Sequence, residues 1–209
     1  MQLIGYAYLA GILVGVPLAP LLQRRMEKKA VVLIGLWMAI ATWIVLPLLW
    51  AGGVFRPSGD GALTPLMLSA AFGGVGIGFT AIAYPSMMAD AADEHEHLFN
   101  HRREGLYFAG LGFAAKAASG LGVLVGGLAL DLMGFPHDAG QHANLIMPEP
   151  ILARLILAWG PGCAVIGAIA LATFLPYAIT RRRHDELTTE LRAKHAREAE
   201  SLTLEAAIG

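Results

Sequence analysis

Charge is what this chain has least of. Only 15% of its 209 residues are Asp, Glu, Lys or Arg, against 56% hydrophobic residues, and the mean hydropathy is +0.58. That balance lies outside the range of ordinary soluble domains and points to a membrane protein. Cysteine is nearly absent as well. Cys163 stands alone, which excludes an intramolecular disulfide framework and a cysteine-cluster metal site. Carboxylates are missing from most of the apolar stretches: no Asp or Glu falls within residues 1–22, 30–52, 63–88 or 151–179. The seven histidines fall outside every apolar run, in expected loops or the tail. Ser86 and Ser119 therefore have no neighbouring base, which argues against an intramembrane hydrolase, and the chain is not expected to be an enzyme. Its basic clusters are short, so nucleic-acid binding is unsupported.

What is present is five apolar runs, near residues 1–22, 30–52, 63–88, 105–131 and 151–179. Each is about as long as the roughly 20 residues a bilayer crossing needs. This gives an all-α membrane protein with a transmembrane bundle over residues 1–180 and a tail over 181–209. The tail is rich in Glu, Arg, Lys, Ala and Leu, with Glu190 and Lys194 at helix-supporting spacing, and is expected to be a helix or partly disordered. Glycines at 73, 74, 76 and 78, and the Gly122 and Gly126 pair, suit close helix packing in lipid. Pro161, within Gly160-Pro161-Gly162, is the strongest candidate for a kink or hinge.

Lysine and arginine fix the expected orientation. Arg24, Arg25, Lys28, Lys29, Arg102, Arg103 and the Arg181-Arg182-Arg183 run fall on one side, against Arg56 and Arg154 near the other. Positive loops stay cytoplasmic, so the expectation is a multi-pass protein of the plasma (inner) membrane with its C-terminus cytoplasmic and its N-terminus outside. Met1 opens directly on an apolar run with no preceding charge, which does not fit a cleaved signal peptide. The economical reading is a C-terminal portion whose preceding helices are missing.

Two features carry chemistry. Lys116 is the lone charge near the middle of the fourth run, where a cation costs on the order of 3 kcal/mol unless it faces protein, water or a carboxylate. Before that run, Asp90, Asp93, Glu94, Glu96, His95, His97 and His101 gather ahead of Arg102 and Arg103. Their spacing matches no paired-ligand motif, so no metal site is assigned. Arg102 and Arg103 are instead expected to pair with Asp90, Asp93 or Glu96, as a charge network at the cytoplasmic boundary that biases a conformational equilibrium.

Taken in order, Asp90, Asp93, Glu96, Arg102, Glu104-Gly105, Lys116 and Ser119-Gly120 resemble the signature of the glycoside-pentoside-hexuronide:cation symporters, the melibiose-permease-like branch of the major facilitator superfamily. The segment is similar to that family's AD-x-x-D-x-x-E... R-x-E-G pattern between its tenth and eleventh helices, and residues 24–29 to its loop between the eighth and ninth. Glu94 departs from it by replacing a common aromatic residue, and Asn100-His101 by replacing a small or glycine-containing turn.

The resemblance implies helices eight to twelve of a partial C-terminal helix bundle with a cytoplasmic helical tail. It implies transport of a sugar-like solute with sodium or a proton, no resident cofactor, a central-cavity coupling role for Lys116, and a cytoplasmic gate of Asp90, Asp93, Glu96, Arg102 and Arg103. It also places the cation-site carboxylates and most sugar-recognition groups in an N-terminal half that must come from elsewhere. The competing expectation is a non-transporting membrane scaffold or transporter remnant.

Overall fold

The computed structural model describes residues 2–54, 59–136 and 148–208. In chain order these form α1 (Gln2–Arg25), α2 (Lys28–Ala51), a short 3-10 turn (Gly59–Ala62), α3 (Leu63–Phe99), α4 (Glu104–Leu132), α5 (Glu149–Leu157), a π-helical turn (Ala158–Gly162), α6 (Cys163–Thr173) and α7 (Arg181–Ile208). Five helical segments are long and apolar enough to cross a membrane, with α5, the π turn and α6 making the fifth. The 3-10 turn lies at one end of the bundle. At the other lie Arg24, Lys28, Arg102 and Arg181, and that end is called the basic end.

The bundle is built around α3, with α1 and α2 laid against it. Glycine makes this possible. A Cβ on Gly11 would strike the Ala71 carbonyl, and one on Gly74 would strike the Tyr8 carbonyl, so α1 and α3 meet backbone to backbone. On the other side, a Cβ on Gly76 would lie 2.5 Å from the Gly35 carbonyl oxygen. In lipid, where there is no hydrophobic drive between helices, such close approach supplies the dispersion contacts that hold them together. Toward the basic end the seam fills with larger groups. Ala19, Val31, Val32, Phe79, Ala83 and Met87 form the buried core, and Tyr84 meets Phe174 edge to face at 5.5 Å.

α3 is 37 residues long. At 1.5 Å per residue that is about 55 Å, against a hydrocarbon core of about 30 Å. The acidic segment expected to be a loop after residue 88 is therefore the last part of this helix, with His95 and His97 on it. Its composition explains the continuation: Ala89, Ala91, Ala92, Glu94, Glu96 and Leu98 are good or acceptable helix formers. Asn100, in the left-handed region at φ 56°, ends the helix and returns its N–H to the Glu96 carbonyl.

The fifth span also differs from its expected 151–179 extent, ending at Thr173. Pro176 lies just beyond and cannot extend the helical ladder. Pro161 sits in the π turn, and buried Gly160 is seated where a Cβ would lie 2.5 Å from the Pro47 ring. α7 turns back along the end of α3 and buries Leu187 and Leu191.

Candidate functional site: charged clamps at the basic end and a bare helix

The basic end is held by side chains that each finish a helix terminus. Arg181 donates from its guanidinium to the carbonyls of Arg24 and Met26, both at 3.1 Å, and to that of Gln23, while its backbone N–H donates to Glu27 Oε2 at 3.0 Å. A cation on the unsatisfied carbonyls at the C-terminus of α1 also meets the negative end of the helix dipole. Lys29 does the same for the segment after α6, donating to the carbonyls of Leu175 at 2.6 Å and Tyr177 at 2.9 Å. Residues that the sequence marked only for topology thus tie α1, α2 and the start of α7 together.

On α3, the carboxylates are distributed between different partners. Asp90 is buried and takes Lys28 Nζ on both oxygens at 2.7 Å, with His184 Nδ1 3.5 Å away. Glu96 is also buried. His195 Nε2 stands 2.7 Å from its Oε1, and Arg102 3.7 Å from its Oε2.

Arg102 makes its shorter contact, 2.9 Å, with Glu104 at the start of α4. Hydrogen bonding to Glu104 and the charge of that carboxylate raise the Arg102 pKa above its ordinary value, with Glu96 and Asp93 adding to the pull and burial opposing it. Asp93 is half-buried and Arg103 exposed at the N-cap of α4. The structure thus brings Arg102 to Glu96, and gives Asp90 to Lys28 and His184. Lys28, His184 and His195 are members of this network that sequence reasoning missed. A signal existed for Lys28, whose basic loop and the acidic segment face the same side, but none told that the tail would fold back.

α4 is a different kind of element. It meets α3 at the basic end, where Tyr107 stands edge-on to His95 at 5.8 Å, yet no residue of α4 is buried. Lys116 is exposed, about 18 Å along the helix from Glu104. Among the described residues it has no hydrogen-bond or ion-pair partner. Gly122 and Gly126 have nothing within 4 Å of where a Cβ would be, so the expected close packing of this pair is not made within the described residues.

Toward the opposite end lies a cleft of about 610 Å³ between α1, α2, α3 and the fifth span. Tyr8, Trp43, Trp50 and Trp159 line it, with Thr42 and Ser69 among its few polar groups. The Thr42 hydroxyl donates its hydrogen to the Ala39 carbonyl, which leaves it able only to accept a further hydrogen bond. Among the described residues no group of three His, Cys, Asp or Glu side chains could hold a metal.

These elements define a multi-pass α-helical membrane protein with charge concentrated at one end and one span left uncovered. Residues 1–181 match the model of the MFS/sugar transport protein family, and the chain belongs to that family. The resemblance read from residues 89–120 is upheld at that level. An uncharacterized symporter of Synechocystis sp. is 28% identical over 179 residues, covering 83% of this chain and 30% of the relative. An isoprimeverose transporter of Lactiplantibacillus pentosus is 25% identical over 186 residues, covering 89% and 36% respectively. The chain thus spans about a third of the length of the curated relatives it matches. No solved structure gives a significant match.

Proposed function

We propose that the chain is the C-terminal portion of a cation-coupled sugar or glycoside symporter working by alternating access, with sodium or a proton as the coupled ion. On this reading α1 to α6 supply helices eight to twelve, the basic end is cytoplasmic, and an N-terminal half supplies the cation-site carboxylates. The observation that carries it is α4: a membrane-length helix with no buried residue and a lysine near its middle. An exposed face of this kind needs polar company at the depth of Lys116. The family membership and the names of the relatives, a symporter and an isoprimeverose transporter, support a sugar-like solute.

Lys116 then faces the central cavity and couples charge to conformation. Asp90, Asp93, Glu96, Arg102 and Arg103 form the cytoplasmic gate, and Gly122, Gly126 and Pro161 are where α4 packs and the last span bends. Arg102 links the end of α3 to the start of α4, so a rearrangement that carries α4 must break or drag that link. In vesicles holding the full-length transporter, Lys116→Ala should reduce cation-driven sugar accumulation at least tenfold, about 1.4 kcal/mol of lost coupling. Unchanged accumulation would sink the coupling role. Absence of any sugar- or cation-dependent thermal stabilisation of the native protein would favour a scaffold instead.

A further inference from the structure

The cations of the basic end fall into two kinds. Lys28, Lys29, Arg102 and Arg181 are engaged with Asp90, with backbone carbonyls or with Glu104, and Arg182 pairs with Glu186 at 3.1 Å. Arg24, Arg25 and Arg183 are exposed, and among the described residues their guanidinium groups have no ion-pair or hydrogen-bond partner. Arg103, also without one, stands at the N-cap of α4 instead.

Tertiary structure gathers the first three. Arg181 and Arg24 are 157 residues apart in sequence, yet the Arg181 guanidinium holds the carbonyls of Gln23, Arg24 and Met26. The first turn of α7 is thereby tied to the last turn of α1, and Arg183 joins Arg24 and Arg25 at one corner of the basic end. The nearby carboxylates are drawn elsewhere. Glu27 accepts the backbone N–H of Arg181, and Glu186 is taken by Arg182. Asp185 lies on the opposite side of α7 from Arg183, about 160° around the helix. Like charges gathered without a counter-ion repel, and at a membrane boundary the counter-ion at hand is a lipid phosphate.

From this corner toward the middle of the bilayer, α1 offers a matching apolar track. Val14, Leu18 and Leu21 are exposed, follow one another at i+4 and i+3 spacing, and share their helix face with Arg25. From Val14 to Arg25 is about 16 Å of helix, close to one leaflet's half of the roughly 30 Å hydrocarbon core. The track has the outline of a single phospholipid: a leaflet's depth of apolar surface ending in guanidinium groups, whose paired N–H donors fit phosphate oxygens. We propose that this corner binds an anionic phospholipid, with its phosphate held by Arg24, Arg25 and Arg183 and an acyl chain laid along Val14, Leu18 and Leu21. A zwitterionic lipid carries its own ammonium into a corner already rich in positive charge, so a net negative headgroup is preferred. Seated there, the lipid bridges α1 and α7 and reinforces the tie that Arg181 makes. The site does not require that the chain transport anything.

The test is binding of phosphatidylglycerol and of phosphatidylcholine with the same acyl chains to the full chain in neutral detergent, read by native mass spectrometry. Phosphatidylglycerol is expected to bind at least about tenfold more tightly, since each arginine near an anionic lipid is worth about fivefold. Arg24→Gln with Arg25→Gln should cut that preference to below about threefold, whereas Arg24→Lys with Arg25→Lys should keep most of it. Arg197→Gln removes an exposed arginine of the same helix about 21 Å beyond Arg183 and should leave the preference unchanged. Equal affinity of the native chain for the two lipids, full preference in the glutamine pair, or an equal loss in Arg197→Gln overturns the site. Displacement of the lipid by millimolar inorganic phosphate or glycerophosphoglycerol, which have no acyl chains, also overturns it, in favour of a soluble phosphate anion. If the glutamine pair fails to fold, Arg183→Gln decides: a fall of about fivefold upholds the site, and an unchanged preference overturns it.

Discussion

α3 and α4 carry the same kind of sequence, long enough to cross a bilayer and rich in glycine, yet α1 and α2 enclose α3 while no residue of α4 is buried. The glycines of α3 are used, since side chains at Gly74 and Gly76 would run into the backbones of α1 and α2. Those of α4, at 105, 110, 112, 120, 122, 126 and 127, face open space. Small residues give a helix the capacity for close approach, and only a complementary neighbour turns that capacity into stability. Charge divides the same way. Asp90 and Glu96 of α3 are buried and paired, whereas Lys116, the cation of α4, is exposed and, among the described residues, unpaired.

The largest effect that would sharpen this contrast comes from one substitution in each helix. Gly74→Leu forces α1 and α3 apart at the Tyr8 carbonyl and should lower stability in detergent by more than about 3 kcal/mol. Gly126→Leu, at a position with nothing within 4 Å among the described residues, should change the stability of this chain by itself by less than about 0.5 kcal/mol. Equal losses in a denaturant titration would show that α4 is packed after all. A smaller effect is expected from Lys28→Met, which leaves Asp90 buried with His184 as its one remaining ion-pair partner among the described residues and should cost about 2 kcal/mol, with α3 exchanging faster at its basic end. The least effect belongs to the link between the two helices. Arg102→Gln removes a cation that is 58% exposed, so its cost should stay below about 1 kcal/mol and shrink further in high salt. A loss above about 2 kcal/mol would mean that α3 and α4 are coupled far more tightly than this geometry allows.

Much of the fold was legible because hydropathy in a membrane protein is a strong signal: a bilayer demands about 20 apolar residues, and little else satisfies that demand. Five such segments, and a helix after them, are present as read. The boundary of α3 was not legible in that way. A drop in hydropathy marks where the lipid ends, whereas a helix ends where its backbone is capped, here at Asn100. The candidate gate was legible as a set of residues and not as a set of pairs. Arg102 stands near Glu96 as its position suggests, but Asp90 meets Lys28, 62 residues away, and Glu96 meets His195, 99 residues away.

By itself, then, the sequence determined the solvent this protein lives in, the number of its membrane-length segments, which charges lie at the same end and the family it resembles. All of these follow from composition, spacing and short motifs, which are local properties of the chain. Tertiary structure decided which glycines are used, that Asp90 and Glu96 are buried on a helix, and that the tail returns to meet them. Those outcomes depend on groups distant in sequence arriving at one place, where burial multiplies the strength of each charge and makes its partner matter.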